Sequence, residues 1–234
     1  MAPRYALYFA PAPLSPLQVF GARVLGYDQA TGRNASHYPT IVNQVPNWQL
    51  LTRDPARYGF HATFKAPFEL APLRTEAELV SEVERAASQW ETIDLGALAV
   101  GKISTFIALV PCRTPPGLAE FAQALVERFD SFRAPMSAAD RARRHPDRLT
   151  GRQRAHLDRW GYPFVHDEFR FHMTLAGPIK PQQIHFVRDS LQRVFRAEVA
   201  DWDAPVIIDA LSVFKQPRRD GPFYILSRHT LAGL

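Results

Sequence analysis

A chain of 234 residues, 46% of them hydrophobic, has enough apolar material for a full core, as one domain or as two intimately packed lobes. Its composition is that of an ordinary soluble protein, and charges and prolines interrupt every apolar run well short of the roughly 20 residues of a membrane helix. Cys112 is the only cysteine, which excludes an internal disulfide and a cysteine-based zinc site, and the net charge of +5 is concentrated in one segment.

The N-terminus runs from Met1-Ala2-Pro3-Arg4 straight into an alternating strand at Tyr5, Leu7 and Phe9, with no signal-peptide hydrophobic region, so the expected location is the cytoplasm. A short helix is predicted over Leu17 to Leu25, inside a turn-rich connection reaching to Trp48. Gly26 and Gly32 in that connection make neither a phosphate loop nor a dinucleotide fingerprint.

Phe60-His61-Ala62-Thr63-Phe64-Lys65 then alternates with period two, the pattern of a half-buried strand. Phe60, Ala62 and Phe64 face inward; His61, Thr63 and Lys65 share the opposite face. Thr75-Glu76-Ala77-Glu78 opens a helix with a capping box, and Leu79, Val83, Ala86 and Trp90 form its apolar stripe. Two strands follow, Ala97 to Lys102 and Phe106 to Leu109.

Residues 133 to 159 hold eight arginines against Asp140, Asp147 and Asp158. This segment reads as a basic helical insert, about 133–160, with Ser137 and Thr150 as N-caps and Pro146 as a break. A solvated basic face and a rim that attracts an anionic substrate are the two readings of such a charge run. It has few aromatics to stack bases, so RNA ranks third.

Phe169-Arg170-Phe171-His172-Met173-Thr174-Leu175 repeats the earlier alternation, with His172 and Thr174 on the outward face beside Arg170. A helix opened by Pro181 carries Ile184, Val187, Leu191 and Val194 on one stripe. Ala210 to Lys215 matches Ala97 to Lys102 at four of six positions, and Arg218-Arg219-Asp220-Gly221 reads as a hairpin turn before Phe223 to Leu226. His61 lies 41 residues before Lys102 and His172 lies 43 before Lys215, the mark of an internally duplicated strand, helix, strand, strand unit.

Cleaving a phosphoester needs a base for the attacking oxygen, an acid for the leaving oxygen and donors for the growing phosphoryl charge. Two imidazoles on opposite sides of a phosphate divide the first two tasks, because their unperturbed pKa of about 6.5 lets one be neutral and one protonated. Thr63 and Thr174, two residues on and on the same faces, offer hydroxyl donors, and Lys65 and Arg170 offer cations. Two histidines alone make a poor zinc site, and the one dense group of potential ligands, His166-Asp167-Glu168, is explained by a turn. No metal and no cofactor are expected.

The strings Arg57-Tyr58-Gly59-Phe60-His61-Ala62-Thr63-Phe64-Lys65-Ala66-Pro67-Phe68 and Trp160-Gly161-Tyr162-Pro163-Phe164, leading into the second His-x-Thr, resemble the 2H phosphoesterases, in the branch encoded beside phosphonate-degradation genes. The resemblance runs from Tyr5 to Leu231. It implies an α+β, RNA ligase/cyclic phosphodiesterase-like fold over residues 1–234. Two pseudo-symmetric lobes of small, mainly antiparallel sheets with outer helices are expected, lobe one centred on 50–111 and lobe two on 165–231. It implies catalysis by His61, His172, Thr63 and Thr174, with Lys65, Arg170 and Arg57 binding substrate, and either histidine able to serve as base. The implied substrate is a small anionic phosphoester, such as 5-phosphoribosyl 1,2-cyclic phosphate. An RNA end with a 2',3'-cyclic phosphate comes second, and a non-catalytic phospholigand- or RNA-binding module is the reading from another class.

Overall fold

Strand β1 (Arg4–Phe9) is the centre on which the chain closes, and its alternation has two destinations. Tyr5, Leu7 and Phe9 enter the main core, while Ala6 and Tyr8 enter a second, smaller apolar cluster on the other face. The computed structural model describes residues 2–199, 201 and 203–233. Helix α1 (Pro16–Leu25) follows, capped by the Ser15 hydroxyl and ended by Gly26 in the left-handed conformation, as its sequence predicts. A ribbon of β2 (Tyr27–Asp28) and β3 (Arg33–Asn34) and helices α2 (Pro39–Gln44) and α3 (Trp48–Ala56) lead to β4 (Ala62–Glu69).

Helix α4 (Glu76–Ala87) shows the predicted Thr75/Glu78 capping box and buries Leu79, Val83 and Ala86. Trp90, expected on its stripe, lies beyond its end. Then come β5 (Ile93–Asp94), the hairpin of β6 (Leu98–Ile103) and β7 (Phe106–Pro111), and α5 (Leu118–Arg128). The insert folds as predicted, into α6 (Ala138–Ala142) behind Ser137 and α7 (Gly151–Trp160) behind Thr150, with Pro146 opening a single 3-10 turn between them. Strand β8 (Met173–Ala176) carries the second His-x-Thr, but His172 itself stands just ahead of the strand. Helix α8 (Ile184–Glu198) buries Ile184, Val187 and Leu191; it starts three residues after Pro181, which sits in the preceding turn. Strands β9 (Ile207–Ile208), β10 (Ala210–Gln216) and β11 (Tyr224–Thr230) complete the chain, the last two joined through a turn closed by the Gly221 N–H donating to the Arg218 carbonyl.

The architecture is α+β, with small antiparallel sheets and eight α-helices among the described residues. The larger sheet runs β11-β10-β1-β4 and the smaller β6-β7-β8. Each sequence unit was expected to build its own sheet, and here the structure differs. The first His-x-Thr strand, β4, lies with the second unit's β10 and β11, while the second, β8, lies with the first unit's β6 and β7. Alternation reports which side chains face inward and says nothing about which strand lies alongside, a choice made by long-range pairing and packing. Helix α4 packs on β10 and β11, and α8 on β6 and β7, so the two sheets share one continuous core. None of the described helices is long and apolar enough to cross a membrane.

Candidate active site

The approach to His61 is built before the strand begins. Gly59 has φ +74°, and a Cβ there would come within 2.6 Å of the Gln29 Cβ, so only glycine fits. Gln29 is fully buried. Its Nε2 donates to the Phe60 carbonyl at 3.2 Å and its Oε1 accepts from the Phe60 N–H at 3.1 Å. This clamp fixes the peptide immediately ahead of the imidazole. Gly59→Ala is expected to cost about 1–3 kcal/mol, read as a lower urea midpoint at unchanged m.

His61 Nδ1 lies 2.9 Å from the Gly59 carbonyl, and because a carbonyl only accepts, this nitrogen carries the proton. Nε2 is left with its lone pair, 3.2 Å from Thr63 Oγ1. The Tyr8 ring stacks on the imidazole at 3.8 Å. His172 repeats the device: Nδ1 donates to the Arg170 carbonyl at 2.8 Å, and the ring stands 5.5 Å from Phe106. Each histidine is thus anchored to the carbonyl two residues upstream and turned so that Nε2 is the working nitrogen.

A cleft of about 320 Å³ opens between α3, the segment before β4, the β6–β7 turn and the end of β8. His61, Thr174, Tyr58, Phe106 and Asp54 line it. Of the four predicted catalytic residues, His172 and Thr63 are not among its lining: Thr63 stands beside the His61 imidazole, and the His172 ring lies 5.5 Å from Phe106, near enough that a charge on it acts on His61. Burial pushes the His61 pKa down to about 4; the Gly59 carbonyl opposes this and His172 adds to it. Burial also lowers His172, opposed by the Arg170 carbonyl. Burial thus holds both imidazoles toward the neutral form.

That arrangement has a signature in stability. An unfolded histidine titrates near 6.5, so between about pH 6.5 and 4 the unfolded chain binds more protons than the folded one. Stability is therefore expected to fall as pH drops through this window, and His61→Gln should remove part of the slope in urea unfolding measured from pH 7 to 4.5.

Three predicted substrate-binding cations lie elsewhere. Tyr8 pairs with Thr63 but Leu7 pairs with Lys65, so Phe64 is an extra residue in a β-bulge and Lys65 turns to the core side. There its Nζ donates to the Val126 carbonyl at 2.8 Å and meets Asp130 Oδ1 at 3.0 Å; strict alternation could not show this. The Arg170 side chain is exposed and does not line the cleft; its carbonyl is what serves His172. Arg57 lines a separate, arginine-rich recess, with Nη2 donating to the Arg219 carbonyl at 2.6 Å. Of the matched lysines, Lys102 is exposed and Lys215 pairs with Glu76 at 2.6 Å.

Sequence reasoning missed Tyr8, Tyr58, Phe106 and Gln29. The alternation of β1 carried a signal for Tyr8, since placing Tyr5, Leu7 and Phe9 inward sends Tyr8 to the other face. The buried Gln29 gave no comparable signal. Among the described residues no group of three or more His, Cys, Asp or Glu side chains is placed to hold a metal ion. Gly96 to Lys102 has the glycine and lysine spacing of a phosphate loop, but Ile103 replaces the hydroxyl residue and the segment is the strand β6, with no helix opening behind it.

The profile of the family described as "Protein of unknown function (DUF1045)" matches residues 63–224. A ribose 1,5-bisphosphate phosphokinase PhnN from Janthinobacterium sp. (strain Marseille) is 34% identical over 98% of this chain and 51% of its own length. Another of the same name, from Laribacter hongkongensis (strain HLHK9), is 32% identical over 75% of this chain and 40% of its own length. The chain therefore spans about half the length, or less, of these curated relatives. A conserved protein of unknown function from Agrobacterium tumefaciens str. C58 aligns at 13% identity and a TM-score of 0.43, over 97% of this chain and 85% of that one.

Proposed function

The chain belongs to the DUF1045 family, and from that premise we propose that it is a 2H-type phosphoesterase that opens a small ribose cyclic phosphodiester in phosphonate breakdown, in two lobes that face each other across the histidine cleft. The observation that carries this reading is the matched anchoring of the two imidazoles, Nδ1 to a carbonyl two residues upstream at 2.9 and 2.8 Å, each with a threonine two residues on.

One histidine Nε2 takes a proton from water while the water oxygen bonds to phosphorus. As the P–O ester bond breaks, the other imidazolium gives its Nε2 proton to the departing sugar oxygen, leaving a phosphomonoester and a free hydroxyl. Thr63 and Thr174 donate to the non-bridging oxygens. The anion itself prepares the acid: its negative charge raises the pKa values that burial has lowered, which favours a proton on one imidazole when substrate binds.

The relatives' name refers to a phosphorylated ribose, which accords with a sugar phosphate here. Their kinase activity describes chains about twice as long or longer, and the segment most like a phosphate loop in this chain is a strand. Chelator-treated protein should be assayed on ribose cyclic phosphates, nucleoside 2',3'-cyclic phosphates, short RNA ends, and ribose 1,5-bisphosphate with ATP. Turnover of the ribose cyclic phosphate supports the proposal. Turnover confined to RNA ends, phosphate transfer from ATP, or binding without turnover on every substrate overturns it.

A further inference from the structure

Beside the histidine cleft lies a second recess of about 500 Å³, between β1, β4, the β10–β11 turn and the insert. Six arginines line it against two carboxylates, Glu69 and Asp140. Both carboxylates are already engaged by Arg219, at 2.6 Å each, and Asp140 also pairs with Arg143. Arg133 is held by Asp130 at 3.0 Å.

Arg4, Arg57 and Arg144 remain, and among the described residues none has a carboxylate within ion-pair distance. Arg4 is half-buried, with Nε donating to Gln216 Oε1 at 2.8 Å and the guanidinium 5.5 Å from the Phe223 ring. Arg144 sits 5.3 Å from the Tyr162 ring, and Arg57 donates to the Arg219 carbonyl and acts at longer range on the Asp220 carboxylate. Burial pushes the Arg4 pKa down; Tyr58 and Tyr8 oppose this, and Arg219 and Arg144 add repulsion. The half-buried Arg4, whose direct partners are neutral, carries a desolvation cost that an anion offsets, and the more solvated Arg57 and Arg144 add guanidinium forks that match phosphate oxygens.

The recess and the cleft are neighbours. Tyr58 lines both. Tyr8, whose ring stacks on His61, feels the charges of Arg4 and Arg144. Arg4 and Tyr8 share one face of β1, about 13 Å apart along the strand.

We infer that the recess formed by Arg4, Arg57 and Arg144 is the subsite for a second, non-reacting phosphate of the ligand whose ester lies between His61 and His172. The recess then selects, among the cyclic phosphodiesters the resemblance already implies, those that also carry a phosphomonoester. The reacting half of this inference rests on the proposed function; the other half rests on the arginine geometry.

Ribose 5-phosphate, which has the monoester and no cyclic ester, is the binding probe. Arg4→Met, which keeps an apolar stem on Phe223, and Arg144→Gln, on a half-exposed segment, should each weaken its binding about 10- to 100-fold, and Arg148→Gln should not. The first two should raise KM for a 5-phosphorylated cyclic phosphate by a similar factor with kcat little changed, and leave the cyclic phosphate lacking the 5-phosphate unaffected. His61→Ala should retain ribose 5-phosphate binding. Unchanged binding in both arginine variants, equal losses on both cyclic substrates, or inhibition by ribose 5-phosphate that is not competitive overturns the subsite. Arginine-dependent binding in a protein that opens no cyclic phosphate supports the recess and overturns the reaction instead.

Discussion

His61→Ala and His172→Ala are each expected to lower turnover of a ribose cyclic phosphate by about 10² to 10⁴, the range for removing a general acid or base. Both losses should be of similar size, because each imidazole has the same carbonyl anchor and neither is a spare for the other. The double variant should fall little below the worse single one, since residues acting as one unit are strongly non-additive. Thr63→Val and Thr174→Val should cost less, as each removes one hydroxyl donor. Steady-state kinetics with folded, chelator-treated protein checks all of these. A His172→Ala enzyme retaining full turnover would mean that one imidazole suffices.

The largest stability effect is expected at Asp130, outside the cleft. This carboxylate holds the buried Lys65 ammonium at 3.0 Å and also binds Arg133 and Arg159. Burial pushes Lys65 down to about 8, which leaves it predominantly charged at neutral pH with Asp130 as its counter-ion. Asp130→Ala strands that ammonium against the Val126 carbonyl and is expected to cost about 3–5 kcal/mol, measured by urea unfolding at pH 7. Lys65→Met should cost far less, because the carboxylate keeps two arginines and the stem stays apolar. Lys65→Met should also retain turnover. A large loss of activity in a stable Lys65→Met protein would return this lysine to the substrate site, where simple strand alternation puts it.

What was legible in the sequence was local. The capping box at Thr75, the N-caps at Ser137 and Thr150 and the burial of Phe60, Ala62 and Phe64 all depend on residues a few positions apart, and the structure shows them as read. What failed depended on distant partners. The bulge that turns Lys65 inward exists only in its pairing with β1, and the eight arginines of the insert lose much of their free charge to Asp130, Asp140, Asp158 and Asp167. The outward faces of both His-x-Thr phrases were visible in their alternation. The glutamine clamp before His61 was not, since it needs Gln29 brought 31 positions along the chain to the Phe60 peptide.

The crossing of strands between the two sequence units also bears on cutting the chain. With β4 seated in β10's sheet and β8 beside β7, a fragment holding either unit alone would expose raw strand edges, so neither half carries the partners its own His-x-Thr strand needs.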